Sequence, residues 1–168
     1  TRSYSSAASD VYKRQSKYHS VSDNLILSGK LFLKSVNSID DEVRVSRRIY
    51  IPSKNLRGFE PGKIGPKDGA EYVGGNFGSA LNLNTTIPNA INGLENIDLN
   101  LFFDAATLRE VDYDSSLESS KIRSATGIAV NWFTVIGPLS FSYAIPLTKE
   151  TTDQTESFRF RIGCLLYT

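Results

Sequence analysis

"IDLNLFFD", residues 97–104, sorts cleanly by parity. Ile97, Leu99, Leu101 and Phe103 fall on one side, and Asp98, Asn100 and Asp104 on the other. Successive side chains of an extended chain point to opposite faces, so this run reads as a strand with one apolar and one polar face. The pattern recurs outward from it. In "LILSGKLFLK" (25–34), Leu25, Leu27, Gly29, Leu31 and Leu33 oppose Ser28, Lys30 and Lys34. In "RSATGIAVNW" (123–132), Ile128, Val130 and Trp132 oppose Gly127, Ala129 and Asn131. "LSFSYAIP" (139–146) sets Leu139, Phe141, Tyr143 and Ile145 against Ser140, Ser142 and Ala144. "FRFRIG" (158–163) sets Phe158, Phe160 and Ile162 against Arg159 and Arg161. With similar runs at 43–51 and 77–86, seven strands are expected.

The charges follow the same parity. Lys30, Lys34, Arg44, Arg48, Asp98, Asp104, Arg123, Arg159 and Arg161 lie on polar faces, and only Arg47, in "VRVSRRIYI", falls on an apolar one. Arg47 is therefore expected near a rim, where a long side chain can snorkel. Such separation describes an antiparallel sheet with one greasy and one wet face. A soluble sandwich and a transmembrane barrel both satisfy it. The gaps favour the barrel, because 35–42, 87–96 and 133–138 are short or modest while 52–76 and 105–122 are long. Short turns on one rim and long loops on the other are the barrel pattern. Tyr50, Trp132 and Phe133 near strand ends suit interfacial girdles. No apolar run approaches the roughly 20 residues of a membrane helix, which says nothing against a barrel.

Composition narrows the chemistry. The 168 residues suffice for one domain or part of a larger one, and the absence of methionine reads as a piece of a longer chain. Nineteen basic and 18 acidic residues give no bulk attraction to nucleic acid. A single cysteine, Cys164, excludes an internal disulfide and a multi-cysteine zinc site. A single histidine, His19, argues against His-based metal sites and a His-dependent triad. No spacing of carboxylates suggests acid–base chemistry, so no enzyme, metal or cofactor is expected. Residues 1–15 show no period, and "SAASDVYKRQ" resembles a translated sequencing-adapter tail, as does "CLLYT" (164–168). We expect a non-native leader at 1–15, a partial barrel domain at 16–163 and a non-native tail at 164–168.

The longest loop contains "LRGFEPGKIGP" (56–66), an arginine boxed between a leucine and a glycine. Gly58 permits close backbone packing, and Phe59 is suited to anchoring a tip. Arg57 offers a planar fork that matches a carboxylate. Parity puts Asp104 on the inward face, where its strand meets a long loop. A charge-assisted contact between them is worth on the order of 1.5–3 kcal/mol.

The chain resembles the BamA-type outer-membrane assembly factors. The blocks that carry the resemblance, within 43–163, are "LRGFEPGKIGPKDG" (56–69), "YVGGN" (72–76), "LFFDAA" (101–106), "IRSATGIAVNW" (122–132), "GPLSFSYAIPL" (137–147) and "ESFRFRIG" (156–163). "IGPKDG…GGN" and "GPLSFSYA" point to BamA rather than to TamA-like or polypeptide-transporting barrels. The resemblance implies an all-β fold: an antiparallel transmembrane β-barrel of about 16 strands, of which this chain supplies about seven in the C-terminal part. It implies a bacterial outer-membrane location, with POTRA domains in a missing N-terminal part. The implied partners are unfolded outer-membrane β-barrel clients, accessory lipoproteins of the assembly complex and the lipid bilayer. The implied work is insertion of clients by strand templating at a lateral seam. It places Leu56, Arg57, Gly58 and Phe59 at a loop tip folded into the lumen, with Asp104 as wall partner. Relatives often carry a glutamate where Asn84 stands, so the contact is expected to rest more on Asp104. Val135 replaces a frequent proline. Phe158, Phe160, Ile162 and Gly163 map to the last strand at the seam.

A TamA-like or polypeptide-transporting barrel of the same superfamily, a passive porin-like barrel and a soluble binding sandwich remain the alternatives. Asp112 and Asp114 lack the full calcium-loop spacing and are read as exposed loop charges. "NTT" at Asn84 lies in a strand facing the lumen and carries no weight as a glycosylation signal. Arg159 and Arg161 are read as solvated lumen charges.

Overall fold

The computed structural model describes residues 8–22, 24–38, 43–91, 96–112, 114, 117, 121–135 and 137–163. Long strands are β1 (Ala8–Ser22), β2 (Leu25–Ser38), β6 (Phe77–Ile87), β7 (Ile97–Arg109), β8 (Arg123–Thr134) and β9 (Gly137–Thr148). Shorter ones are β3 (Gly58–Phe59), β4 (Lys67–Asp68), β5 (Glu71–Tyr72), β10 (Thr155–Glu156) and β11 (Phe158–Ile162), and a 3-10 turn spans Val45–Arg47. One seven-stranded sheet runs β1-β2-β6-β7-β8-β9-β11, every neighbour antiparallel. β3 pairs with β10 and β4 with β5 in two small ribbons. The sheet is open, with β1 and β11 at its edges.

The two faces meet different surroundings. Leu81, Leu83, Leu101, Phe103, Ile128, Phe141, Tyr143, Ile145, Phe158 and Phe160 are exposed. A continuous apolar face of this extent is stable against hydrocarbon, not water. The core lies on the opposite face, where Val36 and Leu108 pack with Ile49, Leu56, Phe59 and Ile64 from the long loop. In a soluble sandwich the apolar faces would cover one another, and here they are bare. Register then fixes what the inner wall presents. Asn82, Asp104 and Ala125 stand abreast on β6, β7 and β8, as do Asn84, Phe102 and Gly127.

Two expectations about the elements are corrected. Residues 43–51 are not a strand: β2 and β6 pair directly from Ile26↔Thr86 to Ser35↔Phe77, leaving no slot between them. The segment forms the 3-10 turn and one bridge, Ile49↔Gly75, and turns Val43, Ile49 and Ile51 into the core. Arg47 is thus an exposed loop residue rather than a misfit on a lipid face, and Tyr50 belongs to the loop, its hydroxyl donating to the Tyr72 carbonyl at 3.1 Å. Conversely, Ala8–Ser22, most of it set aside as a leader, is a strand laddered to β2. Its alternation is obscured because Lys13, Gln15, Lys17 and His19 share the parity opposite Leu33, Leu31, Gly29 and Leu27. A ladder bonds backbone to backbone and tolerates this. Residues 1–7 and the tail 164–168 lie outside the described residues.

The face assignment is testable in the complete protein folded into bilayers. Leu101→Arg is expected to cost about 2–4 kcal/mol in a denaturant titration, as for a cation at mid-membrane, whereas Thr86→Arg, on the inner face, costs well under that. Equal costs would contradict the assignment.

Candidate functional site

The loop between β2 and β6 is rich in glycine and proline and folds back over the inner wall. At its tip Gly58 adopts φ of +86°, open to glycine at little cost. A Cβ there would lie 3.1 Å from Ala125 Cβ and 3.2 Å from Ala144 Cβ. Ala125, Gly127, Ala129 and Ala144 keep this part of the wall low, so the tip sits down upon it. At Gly127 a Cβ would stand 2.8 Å from the Phe102 ring, which packs with Ala129 and Ala144. Leu56 and Phe59 are buried on either side of the tip.

Arg57 directs its Nε, its Nη2 and its backbone N–H at one patch of the wall. Its Nε donates to Asp104 Oδ2 at 2.6 Å and its Nη2 to Asp104 Oδ1 at 2.7 Å. The same Nη2 donates to Asn84 Oδ1 at 2.7 Å, and the Arg57 backbone N–H reaches Asp104 Oδ2 at 3.1 Å. The guanidinium carbon lies 3.5 Å from the centroid of Phe102, a cation–π seat. Asp104 is wholly buried, and Asn82 Nδ2 donates to its Oδ1 at 2.7 Å. The same amide donates to the Asn55 carbonyl at 2.9 Å, so it also ties the chain just before the tip. Removing one member of such a buried pair leaves the other uncompensated, at about 3–5 kcal/mol.

The residues named from sequence are thus distributed plainly. Leu56, Arg57, Gly58 and Phe59 form the tip, and Asp104 and Asn84 line the wall beneath it. Phe158, Phe160 and Ile162 lie far out on the opposite, exposed face of β11. Gly163 follows β11 and donates its N–H to the Pro138 carbonyl at 2.7 Å. Asn82, Phe102 and Asn55 were not singled out. For the first two the signal existed, since both share the inward parity of Asp104 or Asn84. Arg159 is corrected: it is buried rather than solvated, and donates to Glu156, Ser53 and Phe59. Arg161 is half-buried, donating to Ser53 Oγ at 3.1 Å.

Two further arginines hold loops in place, Arg123 from the wall and Arg48 from loop to loop. Arg123, wholly buried, donates to Asp153 at 3.0 Å and Glu150 at 2.7 Å, and the Asp153 carboxylate accepts the Gly65 N–H. Arg48 pairs with Asp112 at 2.8 Å, so Asp112 is a partnered residue rather than a free loop charge. Partial burial works to raise the Asp112 pKa, but the Val43 amide, the Asn76 side chain, its own amide and Arg48 together hold it below the ordinary carboxylate value. No cluster of metal-ligating side chains occurs among the described residues.

Residues 6–164 match the family model described as the Omp85 superfamily domain. The outer membrane protein assembly factor BamA of Neisseria meningitidis serogroup B is 28% identical over 137 residues, covering 65% of this chain and 17% of that protein. The corresponding protein of Nitratidesulfovibrio vulgaris is 27% identical over 157 residues, covering 87% and 19%. Among solved structures, BamA from Haemophilus ducreyi lacking POTRA domains 1–3 aligns with a TM-score of 0.82 and 28% identity, over 91% of this chain and 34% of that one. The chain therefore spans less than a fifth of the curated relatives it matches.

Gly58→Ala is expected to unseat the tip by about 1–3 kcal/mol, given the positive φ and the crowded wall. Faster proteolysis of 52–69 in the complete protein reads this out, and wild-type protection would contradict it. The Asp112 tether carries a pH sign. Its folded pKa is depressed, so its stabilisation is present above the unfolded value, about 3.9, and fades as pH falls through the folded one. Proteolysis of 43–51 should quicken on acidification in the wild type and be pH-independent over that range in Asp112→Asn. Identical pH profiles would refute the assignment.

Proposed function

Because the chain belongs to the Omp85 superfamily, we propose that in the complete protein it works as the C-terminal part of an outer-membrane protein assembly factor, folding and inserting β-barrel clients by strand templating at a lateral seam. The chain itself is an outer-membrane β-barrel segment. In lipid, an unpaired strand edge leaves backbone groups unsatisfied, at several kcal/mol each. Such an edge is a template for an incoming strand, which gains main-chain hydrogen bonds as it adds. On this reading β11, one of the two edges of the described sheet, carries that edge, with Phe158, Phe160 and Ile162 directed outward. The partners on this reading are unfolded barrel clients, accessory lipoproteins and the bilayer. Templating makes and breaks no covalent bond, so the reading needs no nucleophile or general base.

The observation that carries it is the seated loop tip. A loop drawn into the lumen and fixed by an ion pair occupies bore that an open, water-filled channel leaves free. A templating barrel must hold its wall in one shape while one edge exchanges partners, and Arg57 joins the longest described loop to the middle of β7. Loss of at least 1.5 kcal/mol of seating energy corresponds to roughly tenfold in loop occupancy. In the complete protein, Arg57→Ala is expected to slow client assembly by about that factor or more, while heat-modifiable migration shows the barrel still folded. Assembly at the wild-type rate would sink the reading of the loop as part of the machinery.

A further inference from the structure

Among the described residues, the edge strand β11 has one sheet neighbour, β9, and five paired residues, Phe158↔Tyr143 to Ile162↔Leu139. Yet Arg159, on this short edge, is 9% exposed. Its guanidinium reaches back over the lumen. Nη1 donates to the Ser53 carbonyl at 3.1 Å and Nη2 to the Phe59 carbonyl at 2.6 Å. Nε and Nη2 also donate to Glu156 Oε2 at 2.9 and 2.5 Å, a third acceptor on the same guanidinium. Ser53 and Phe59 flank Arg57 on either side. The backbone repeats the link: Thr155↔Phe59 and Glu156↔Gly58 pair as β10 with β3, and the Glu60 N–H reaches the Gln154 carbonyl at 3.0 Å. The Arg57 side of the tip is bonded to β7 and β6, and the Phe59 side to β11. In the sheet β7 and β11 are separated by β8 and β9, so the loop is a second, shorter connection between wall and edge.

We infer that Arg159 is a positioning residue through which the seated loop sets the placement of the edge strand. This rests on the assembly reading above for its use, since a templating edge must be presented in one register. Three acceptors converging on one guanidinium define β11 relative to the loop tip, and the tip is defined relative to the wall by Asp104. Unseating Arg57 therefore loosens β11 although Arg57 itself donates to Asp104 on β7 and Asn84 on β6. If Arg159 simply fills polar space, β11 is indifferent to Arg57.

The test follows amide hydrogen exchange of 158–162 in the complete protein in bilayers, with client assembly measured in parallel. Arg57→Ala and Arg159→Gln are each expected to speed exchange at the β11 amides bonded to β9 by about tenfold, and the double variant no further than either. Wild-type exchange of β11 in Arg57→Ala, or single effects that multiply in the double variant, would overturn the coupling. Slowed assembly with unchanged β11 exchange overturns the coupling and leaves the assembly reading standing. Quickened exchange with wild-type assembly does the reverse.

Discussion

Everything placed inside this sheet depends on Asp104 being a buried carboxylate with a cation to meet. A carboxylate without exposure is costly unless paired and hydrogen-bonded. Here Arg57 provides three donors and Asn82 a fourth, so both oxygens are satisfied. The pair does not add stability for free, because desolvation offsets much of its attraction. Its effect is geometric: only one placement of the loop tip satisfies Asp104, and a loop rich in glycine and proline is thereby limited to one seat.

The wall is shaped to receive that seat. Where Gly58 descends, β8 and β9 present Ala125 and Ala144. Where Phe102 lies under the guanidinium, Gly127 leaves its ring space. Small side chains at these positions lower the inner surface by a side chain's depth. The loop then supplies the apolar cover, through Leu56, Phe59 and Ile64, that a lumen wall of alternating polar residues lacks. The outer face needs no such cover because the membrane provides it. This division explains why the buried core sits on the face that carries the charges.

Much of this was legible in the chain. Alternation over 97–104, 123–132 and 139–146 encodes β7, β8 and β9, since a half-exposed strand writes its two surroundings into alternate letters. The charge parity gave the direction of the faces and put Asp104 inward, but β7 runs on to Arg109, so Asp104 lies mid-strand rather than where the strand meets a loop. The misreadings have physical causes. "VRVSRRIYI" alternates in part, but short periodic runs do not report whether a pairing partner is free, and β2 and β6 had already taken each other. β1 went unseen because backbone ladders do not require amphipathic side chains, and Lys13, Gln15, Lys17 and His19 erase the outward pattern. Arg159 was read as solvated because parity gives the face of a strand and not what a distant loop lays against it. Two of its three acceptors, Ser53 and Phe59, are backbone carbonyls, which no side-chain pattern announces.

The central claim is a single internuclear relation, and dipolar recoupling measures it directly. In the complete protein in lipid bilayers, with arginine guanidino nitrogens and aspartate carboxyl carbons labelled, Arg57 and Asp104 should show strong coupling, consistent with N···O separations of 2.6 and 2.7 Å. An uncoupled Arg57 whose guanidinium protons exchange freely with water would place the tip outside the lumen and contradict the account.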